Sequence, residues 1–479
     1  MGIRFGTEGW RGIIGDDFTF ANIRRLGQAI AGYLQAIGPN RQPSSVTVGY
    51  DTRFLSDQYA RELAILLHAN GISVCLSDKP VITPVVSLAT ARLPVRLGVM
   101  ITASHNPPKY NGVKLKAPDG GPVDQDVING IEAWLPARAP SVTSNHRNHR
   151  GILSGNLDAI YLVAIRDQLN WPVFAKAGLT VVVDSMHGAG KGYLDRLLEE
   201  CGIKVIRLRH EARADFGGMN PEPIAANLEP LMEAVRWHRA DLGLAIDGDG
   251  DRLGVVNHMG EYVNPHQVFL LLLTHMAENR GGREVVVRTF STSSLIDQAA
   301  RSYGLDIRET PIGFKHITAL CRRESVILGG EESGGYGFPQ HLLDRDGVLA
   351  GLMLVEYICQ RGKPLRSLLG EMVQRFGPSF YQRLDLPLRS SFTLSKLEPP
   401  MRLGQRLVSD AQTLDGLKLK LGEDGWILFR VSGTEPLLRI YAEARSKDVL
   451  EEILREGNHW IQTVGDGLIS LRQNRSSLP

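Results

Sequence analysis

Three separated stretches of the chain follow one plan, and this repetition limits the fold more than any other feature. They are SVTVGYDTRFLSDQYARELAILLHANGISVCL, LTVVVDSMHGAGKGYLDRLLEECGIKVIRL and REVVVRTFSTSSLIDQAARSYGLDIRET. Each reads as a strand, a polar loop, an amphipathic helix, a glycine and a second strand. β-branched runs open the copies: Val46 and Val48, Val181 to Val183, and Val285 to Val287. Branched side chains of this kind favour a pleated sheet. Apolar residues then recur at helical spacing, as in Leu63, Leu66 and Leu67 or Leu194, Leu197 and Leu198. Gly71, Gly202 and Gly304 close the helices, where glycine takes a left-handed turn at little cost. A crossover helix joins parallel strands, so each copy is a βαβ unit with helices on the faces of its sheet.

Each copy continues into another apolar strand with a distinctive loop at its end: LGVMITASHN, DLGLAIDGDGD and SVILGGEESGG. Open α/β sheets bind ligands beyond the carboxyl ends of their strands. Three such units turned toward each other would gather a serine loop, an acidic loop and a Glu/Ser loop around one cleft. From about residue 373 the repeat stops, and GWILFRVSGTEPLLRIYAEA predicts two short strands around a Ser/Gly/Thr turn. The expected fold class is α/β: three similar mixed, mainly parallel α/β domains around a central cleft, plus a C-terminal α+β phosphate-binding domain. Polar sequence at 139–151 and turn-rich sequence near 257–265 and 377 place the units at 1–150, 151–257, 258–372 and 373–479. In order, they carry the serine, acidic, Glu/Ser and Ser/Gly/Thr loops. A chain of 479 residues fits about three or four cores of ordinary size.

Charge removes several classes of function. Lys+Arg of 54 against Asp+Glu of 52 leaves a net +2 with no long run of one sign, so no nucleic-acid or membrane-surface partner is expected. An anionic ligand must be gripped locally. The apolar run VFLLLL at 268–273 is far short of the roughly 20 residues that span a bilayer and is expected as a buried helix. Cys75, Cys201, Cys321 and Cys359 form no C-x-x-C pair, which fits a reducing compartment. The opening MGIRFGTEGWRG puts charges and glycines where a signal peptide would be apolar, so a cytoplasmic location is expected.

DGDGDR sets Asp247, Asp249 and Asp251 at alternate positions. On extended backbone the three carboxylates face one way, while Gly248 and Gly250 let the chain curl around an ion. Hard oxygen donors favour magnesium over zinc or copper, and three crowded carboxylates would repel each other without a cation. The plainer alternative is an Asp/Gly surface turn. An EF-hand is excluded, because loop positions six and twelve would fall on Arg252 and His258. HGAGKG at 187–192 departs from the P-loop pattern at Ser185 and Gly192 and reads as a Gly-rich strand-to-helix turn.

Ser104, at a strand end and beside a metal loop from the next unit, is suited to carry a phosphoryl group. Pro107 and Pro108 keep its loop from becoming helix. His105 and Lys114 are near enough in sequence to move a proton to or from a hydroxyl; alternatively, His105 orients the loop and Lys114 screens phosphate charge. An acyl-transfer serine would prefer G-x-S-x-G, and Ser104 sits in A-S-H. In GGEESGG, Glu331 and Ser333 lie on one side of an extended turn, suited to neighbouring sugar hydroxyls, with a solvated acidic turn as the alternative. RVSGTEP offers Arg430, Ser432, Gly433 and Thr434, with Arg439 beyond, for a dianionic phosphate, or else a plain hairpin turn. Arg11 is a further phosphate contact.

With TASHNP, DGDGDR, GEES and RVSGTEP in this order, and FGTEGWRG at the start, the chain resembles the α-D-phosphohexomutase family over nearly its full length. The resemblance implies four domains around a cleft and a phosphoserine at Ser104 that shares magnesium with Asp247, Asp249 and Asp251. It also places Arg252 beside the transferring phosphate and Lys114 at the proton. Glu331 and Ser333 would hold the sugar O3 and O4; Arg430, Ser432, Gly433, Thr434 and Arg439 would hold the distal phosphate. Gly313 and Lys315 are carried over through IGFK, where Ile312 replaces the usual Thr. Hexose phosphates are the implied partners, with glucose 1,6-bisphosphate as intermediate and activator, in a monomer or homodimer.

Glu332 stands where glucosamine-type members usually have Gln, and Gly335 where mannose-type members often have His. Both differences imply a glucose-type mutase. A mannose-type or dual-specificity mutase is one alternative; a magnesium-dependent phosphatase or hexose-bisphosphate synthase is another.

Overall fold

The computed structural model describes residues 2–6, 8–37, 45–140, 152–174, 177–388, 394, 397–433 and 436–464. The three copies share one order of strand pairing, with a register shift at Val285/Val286 in the third. In each, a central strand, Ser45–Tyr50, Thr180–Asp184 or Val285–Thr289, pairs in parallel with the strand returned by its helix, Ser73–Ser77, Lys204–Leu208 or Ile307–Thr310. On its other side it pairs in parallel with Leu97–Ile101, Leu242–Ile246 or Val326–Gly330. The chain then reverses into an antiparallel neighbour, Tyr110–Lys116, Leu253–Asn257 or Tyr336–Gly337. The serine, acidic and Glu/Ser loops are these three reversals, so each sits at the carboxyl end of a parallel strand. Gly71, Gly202 and Gly304 have φ of +77°, +82° and +69°, as the helix-ending turns require.

Two unit edges differ from those expected. Strand Ile152–Gly155 adds to the first sheet beside Ser73–Ser77, so that sheet extends past residue 150. The turn near residue 260 is a hairpin within the second sheet, whose last strand is Tyr262–Val263. Polar turns mark both an interdomain link and a hairpin, and composition alone does not separate them.

The first three units are not independent bodies. One apolar cluster runs through Val85 and Met100, Leu194 and Ile246, and Leu271, Ile327 and Leu352. Its axis is the pair of helices Pro265–Glu278 and Gly347–Arg361, the first of which contains the VFLLLL run and is buried as expected. Asn264 and Gln267 form a capping box at its start. Asp346 caps the second helix through the amide of Leu349. Among the described residues no helix is long and apolar enough to cross a membrane. The four cysteines are free thiols, with Cys201 buried and the others half-buried.

The loops lock directly to one another. Thr83 N donates to Asp249 O at 2.7 Å, Leu253 N to Gly334 O at 3.0 Å and Gly347 N to Gly250 O at 3.2 Å. Gly334 must be glycine: its φ is +83°, and a Cβ would lie 2.8 Å from the Leu253 carbonyl oxygen. The HGAGKG turn serves the same packing, since Ala189 N donates to Gly248 O at 3.0 Å.

The fourth unit is built differently. Five antiparallel strands, in the order Phe380–Pro387, Leu437–Ala444, Gly425–Val431, Leu417–Lys420 and Asp410–Gln412, pack on helix Lys447–Val464 around Ile427, Phe429, Ile440 and Ile453. Its seam with the third unit is small and polar. Phe290 meets Trp426, Leu428 and Tyr441, and Lys418 donates to Phe290 O at 2.7 Å with its ammonium over the Trp426 ring. A cavity of about 550 Å³ opens beside this seam, lined in part by Arg288, Lys418, Trp426 and Arg445 and by none of the candidate site residues.

Glu443 pins the seam. It accepts from Ser294 N and Oγ at 2.9 Å each, Ser379 Oγ at 2.5 Å, Trp426 Nε1 at 2.6 Å, and Ser293 Oγ. Replacing Glu443 with Ala strands several buried donors, each worth about 1–3 kcal/mol. Glu443→Ala should therefore lower the thermal transition in calorimetry and open the segment around residue 379 to limited proteolysis.

Candidate active site

Ser104 is fully buried, with φ of +52°, a left-handed conformation that costs a non-glycine residue roughly 1–2 kcal/mol. The surroundings hold it there. Its amide donates to Thr102 Oγ1 at 2.8 Å. Arg53 donates to the carbonyls of Ser104, Asn106, Pro107 and Tyr110 at 2.5 to 3.0 Å, tying the whole loop to one guanidinium. The strained backbone aims Oγ across the domain boundary, where it donates to Asp247 Oδ2 at 3.2 Å. His105 Nδ1 lies 3.4 Å from the same Oγ. Burial, then the nearby Arg252 and Arg11, hold His105 well below the usual imidazole range, so its ring is neutral at neutral pH.

Asp247, Asp249 and Asp251 are buried, and each offers an oxygen within 4.8 Å of the others'. Burial, Asp251 and Asp249 push Asp247 well above the usual carboxylate range. For Asp251, burial acts upward too, but Arg345, Lys114 and Arg252 outweigh it and hold the group well below that range. Lys114 donates to Asp249 Oδ2 and Asp251 Oδ2 at 2.7 Å each. Burial opposes its charge, yet Asp249 and Asp251 raise its pKa above the ordinary lysine value. Asp249 Oδ1 and Asp251 Oδ1 remain buried with no hydrogen-bond partner. Two orphaned carboxylate oxygens beside a third carboxylate form a hard, anionic donor set that fits a divalent cation.

Arg252 turns to Glu222 at 3.4 Å, and Arg11 faces Glu8 at 3.6 Å. Glu331 Oε1 accepts from Gly313 N at 3.2 Å and Oε2 from Arg345 at 2.8 Å. Burial pushes Glu331 up to about 7 against the pull of Arg345, with Glu8 and Glu332 adding to the rise. Ser333 is half-buried on the Glu331 loop, and Lys315 is half-buried in the first turn of helix Phe314–Cys321. Across the fourth unit's hairpin, Arg430 stands directly opposite Arg439. Like charges so placed are unfavourable by themselves and favour an anion between them. Ser432 and Gly433 follow at the hairpin turn, and Thr434 lies outside the described residues. Asp415 Oδ2 accepts from Ile312 N at 2.9 Å and Arg430 Nε at 3.0 Å, bridging the third and fourth units.

The chain matches the family description "Phosphoglucomutase/phosphomannomutase" in four parts: alpha/beta/alpha domains I, II and III over residues 2–139, 159–260 and 264–376, and the C-terminal domain over 404–456. It is 31% identical over 465 residues to the "Phosphoglucomutase/phosphomannomutase" of Thermococcus kodakarensis, covering 95% of this chain and 98% of that one. The "Probable phosphoglucosamine mutase" of Methanopyrus kandleri is 32% identical over 463 residues, covering 95% and 97%. The solved "putative phosphomannomutase" of Thermus thermophilus superposes with a TM-score of 0.86 at 36% identity, covering 96% and 99%. The chain belongs to this family, the α-D-phosphohexomutases.

A phosphohexomutase is an isomerase that works by phosphoryl transfer, and the observed cleft is arranged for that chemistry. Ser104, His105, Lys114, Arg252 and the three aspartates meet in one place. Arg11 and Glu331 join them through Glu8 and Arg345, and the Arg430 hairpin joins through Asp415. Sequence reasoning missed Arg53, Glu8, Arg345 and Asp415. Arg53 had a faint signal, since it follows the first central strand in GYDTRF; the other three act through contacts distant in sequence.

An Asn at position 247 keeps an oxygen for the amides of Asp251 and Arg252, which Asp247 Oδ1 now accepts at 2.9 and 3.1 Å, and removes one of three repelling charges. Asp247→Asn should raise the melting temperature of metal-free phosphohexomutase. It should also shrink the stabilisation by a divalent cation, about 2.7 kcal/mol at 100 times Kd for an intact site. Thermal melts with chelator and with added cation measure both effects.

Proposed function

We propose that this enzyme is a phosphoglucomutase, interconverting glucose 1-phosphate and glucose 6-phosphate through a phosphoserine at Ser104 and glucose 1,6-bisphosphate. The observation that carries the reading is Ser104 Oγ meeting the Asp247 carboxylate of the next unit at 3.2 Å. Asp249 and Asp251 would hold magnesium through their orphaned oxygens, with Asp247 as the third carboxylate of the set. Bound there, it neutralises charge on the phosphoryl oxygens and on the departing or attacking oxygen.

The Ser104 phosphate passes to the free hydroxyl of a hexose monophosphate: the bond from phosphorus to Oγ breaks, a bond to the sugar oxygen forms, and the hydroxyl proton ends on Ser104 Oγ. The bisphosphate turns end for end, and its other phosphate returns to Ser104. Lys114, held as an ammonium beside the serine, supports proton transfer at the reacting oxygens. Arg252 and His105 flank the transferred group. Glu331 and Ser333 grip the sugar O3 and O4, with Gly313 and Lys315 behind them. Arg430, Ser432, Gly433, Thr434 and Arg439 take the distal phosphate, and Arg11 adds a contact at the mouth.

Glucose is favoured by Glu332 and Gly335. A Cβ on Gly335 would lie 2.2 Å from Arg345 Cδ, so a larger side chain there conflicts with Arg345 in its observed position. Phosphoglucosamine mutase is the second reading, favoured by the name of the Methanopyrus relative. Glucose, glucosamine and mannose 1-phosphates supplied in parallel, with magnesium and a trace of the matching bisphosphate, separate these readings by kcat/KM. Inorganic phosphate as the main product would instead mark a phosphatase.

Ser104→Ala should lower turnover by roughly 10³-fold or more while sugar-phosphate binding stays measurable by calorimetry. Undiminished turnover in that variant excludes the phosphoserine route.

Glu331 ionises near pH 7 in the free enzyme, and its ionised form is the better acceptor for two hydroxyls. Below that pH it is protonated, so kcat/KM should rise as pH increases through about 7. The substrate phosphate titrates nearby, but it titrates equally for Glu331→Gln, whose profile should lose only the enzyme's limb.

A further inference from the structure

Arg345 is the one candidate-cleft side chain, among the described residues, whose guanidinium touches carboxylates from all three repeated units. Nη1 donates to Glu8 Oε1 at 2.6 Å and Glu331 Oε2 at 2.8 Å; Nη2 donates to Glu8 Oε2 at 3.1 Å and Asp251 Oδ2 at 2.7 Å. The group is buried, and its Nε has no partner, so the whole fork is committed to these contacts. Its neighbours in sequence are fixed on both sides. Asp344 takes Ser87 Oγ at 2.8 Å and pairs with Lys116, both from the first unit, while Asp346 caps the long helix. Glycine at 335 leaves the room through which the arginine stem passes.

We infer that Arg345 is a positioning residue that sets the metal loop and the sugar clamp together, with Glu8 as its anchor. This inference rests on the proposed roles of Asp251 and Glu331. A carboxylate held through one oxygen presents the other in a fixed direction. Asp251 Oδ2 is taken by Arg345 and Lys114, leaving Oδ1 turned out as its open donor. Glu331 is held by the same fork and by the Gly313 amide. Only a planar guanidinium reaches three carboxylates in fixed directions; an ammonium keeps the charge without the geometry. Any shift of the arginine therefore moves a metal ligand and a sugar ligand at once.

The test uses full-length enzyme with Arg345→Lys, which preserves the buried charge, and Glu8→Gln, which weakens the anchor by removing its charge and contacts neither Asp251 nor Glu331. Binding of Mn²⁺ to dephosphorylated enzyme without sugar is read by electron paramagnetic resonance, and KM and kcat are read separately by steady-state kinetics. The expected result is a rise of roughly 10-fold or more in both the Mn²⁺ Kd and the sugar-phosphate KM for Arg345→Lys, the range seen when a residue supporting a ligand is changed. Glu8→Gln should move both constants in the same direction by less. A purely structural arginine would lower the melting temperature and leave both constants unchanged, which overturns the inference, as does a shift in only one constant. Wild-type enzyme that neither binds Mn²⁺ nor turns over hexose phosphates would instead remove the proposed function and this inference with it.

Discussion

Three carboxylates buried on one short loop are the constraint around which the molecule is assembled. Asp247, Asp249 and Asp251 are almost inaccessible to solvent, and isolated buried charges of one sign are expensive. The compensating cations come from three separate parts of the chain: Lys114 from the first unit, Arg252 from the second and Arg345 from the third. No single unit could fold its share of this arrangement and leave it satisfied. That is a physical reason for the first three units to share one apolar core, since charges compensated across domain boundaries need boundaries that do not slide.

The repeat supplies the geometry. Because each copy places its functional loop where a parallel strand meets an antiparallel return, packing three copies together brings three loops to one point without special devices. Small residues make the close approach possible. A Cβ on Gly248 would lie 2.7 Å from the Ser104 carbonyl, and one on Gly347 would lie 2.6 Å from the Arg252 carbonyl. These glycines are demanded by contacts between units, which is why their role appears only once the units are assembled.

Much of this was legible in sequence, for identifiable reasons. Strand-loop-helix periodicity is local, so the three βαβ units and the separate character of the last unit could be read from apolar spacing and glycine positions. The acidic group of Asp247, Asp249 and Asp251 was legible because its motif is contiguous, as was the strand-end place of Ser104. What stayed hidden depends on long-range partners: Arg345 lies 337 residues from Glu8, and Asp415 lies 103 residues from Ile312. Residues 257–265 hold both a hairpin of the second unit and the passage into the third, and turn composition is the same in both. The expected role of Lys114 is also reshaped, since its partners make it a firmly charged ammonium in the observed arrangement.

The division between a rigid core and a lightly attached fourth unit matches what a phosphoryl shuttle must do. Ser104 is held in a strained conformation by Arg53 and Thr102, and the acidic loop is locked to the sugar loop by backbone hydrogen bonds, so the reacting centre is fixed. The phosphate hairpin stands on its own core and meets the third unit through one small apolar cluster, the Glu443 hub and the Asp415 bridge. The same Asp415 carboxylate that accepts from Arg430 also accepts from the amide of Ile312 beside Gly313, so one side chain ties the hairpin of the fourth unit to the loop of the third.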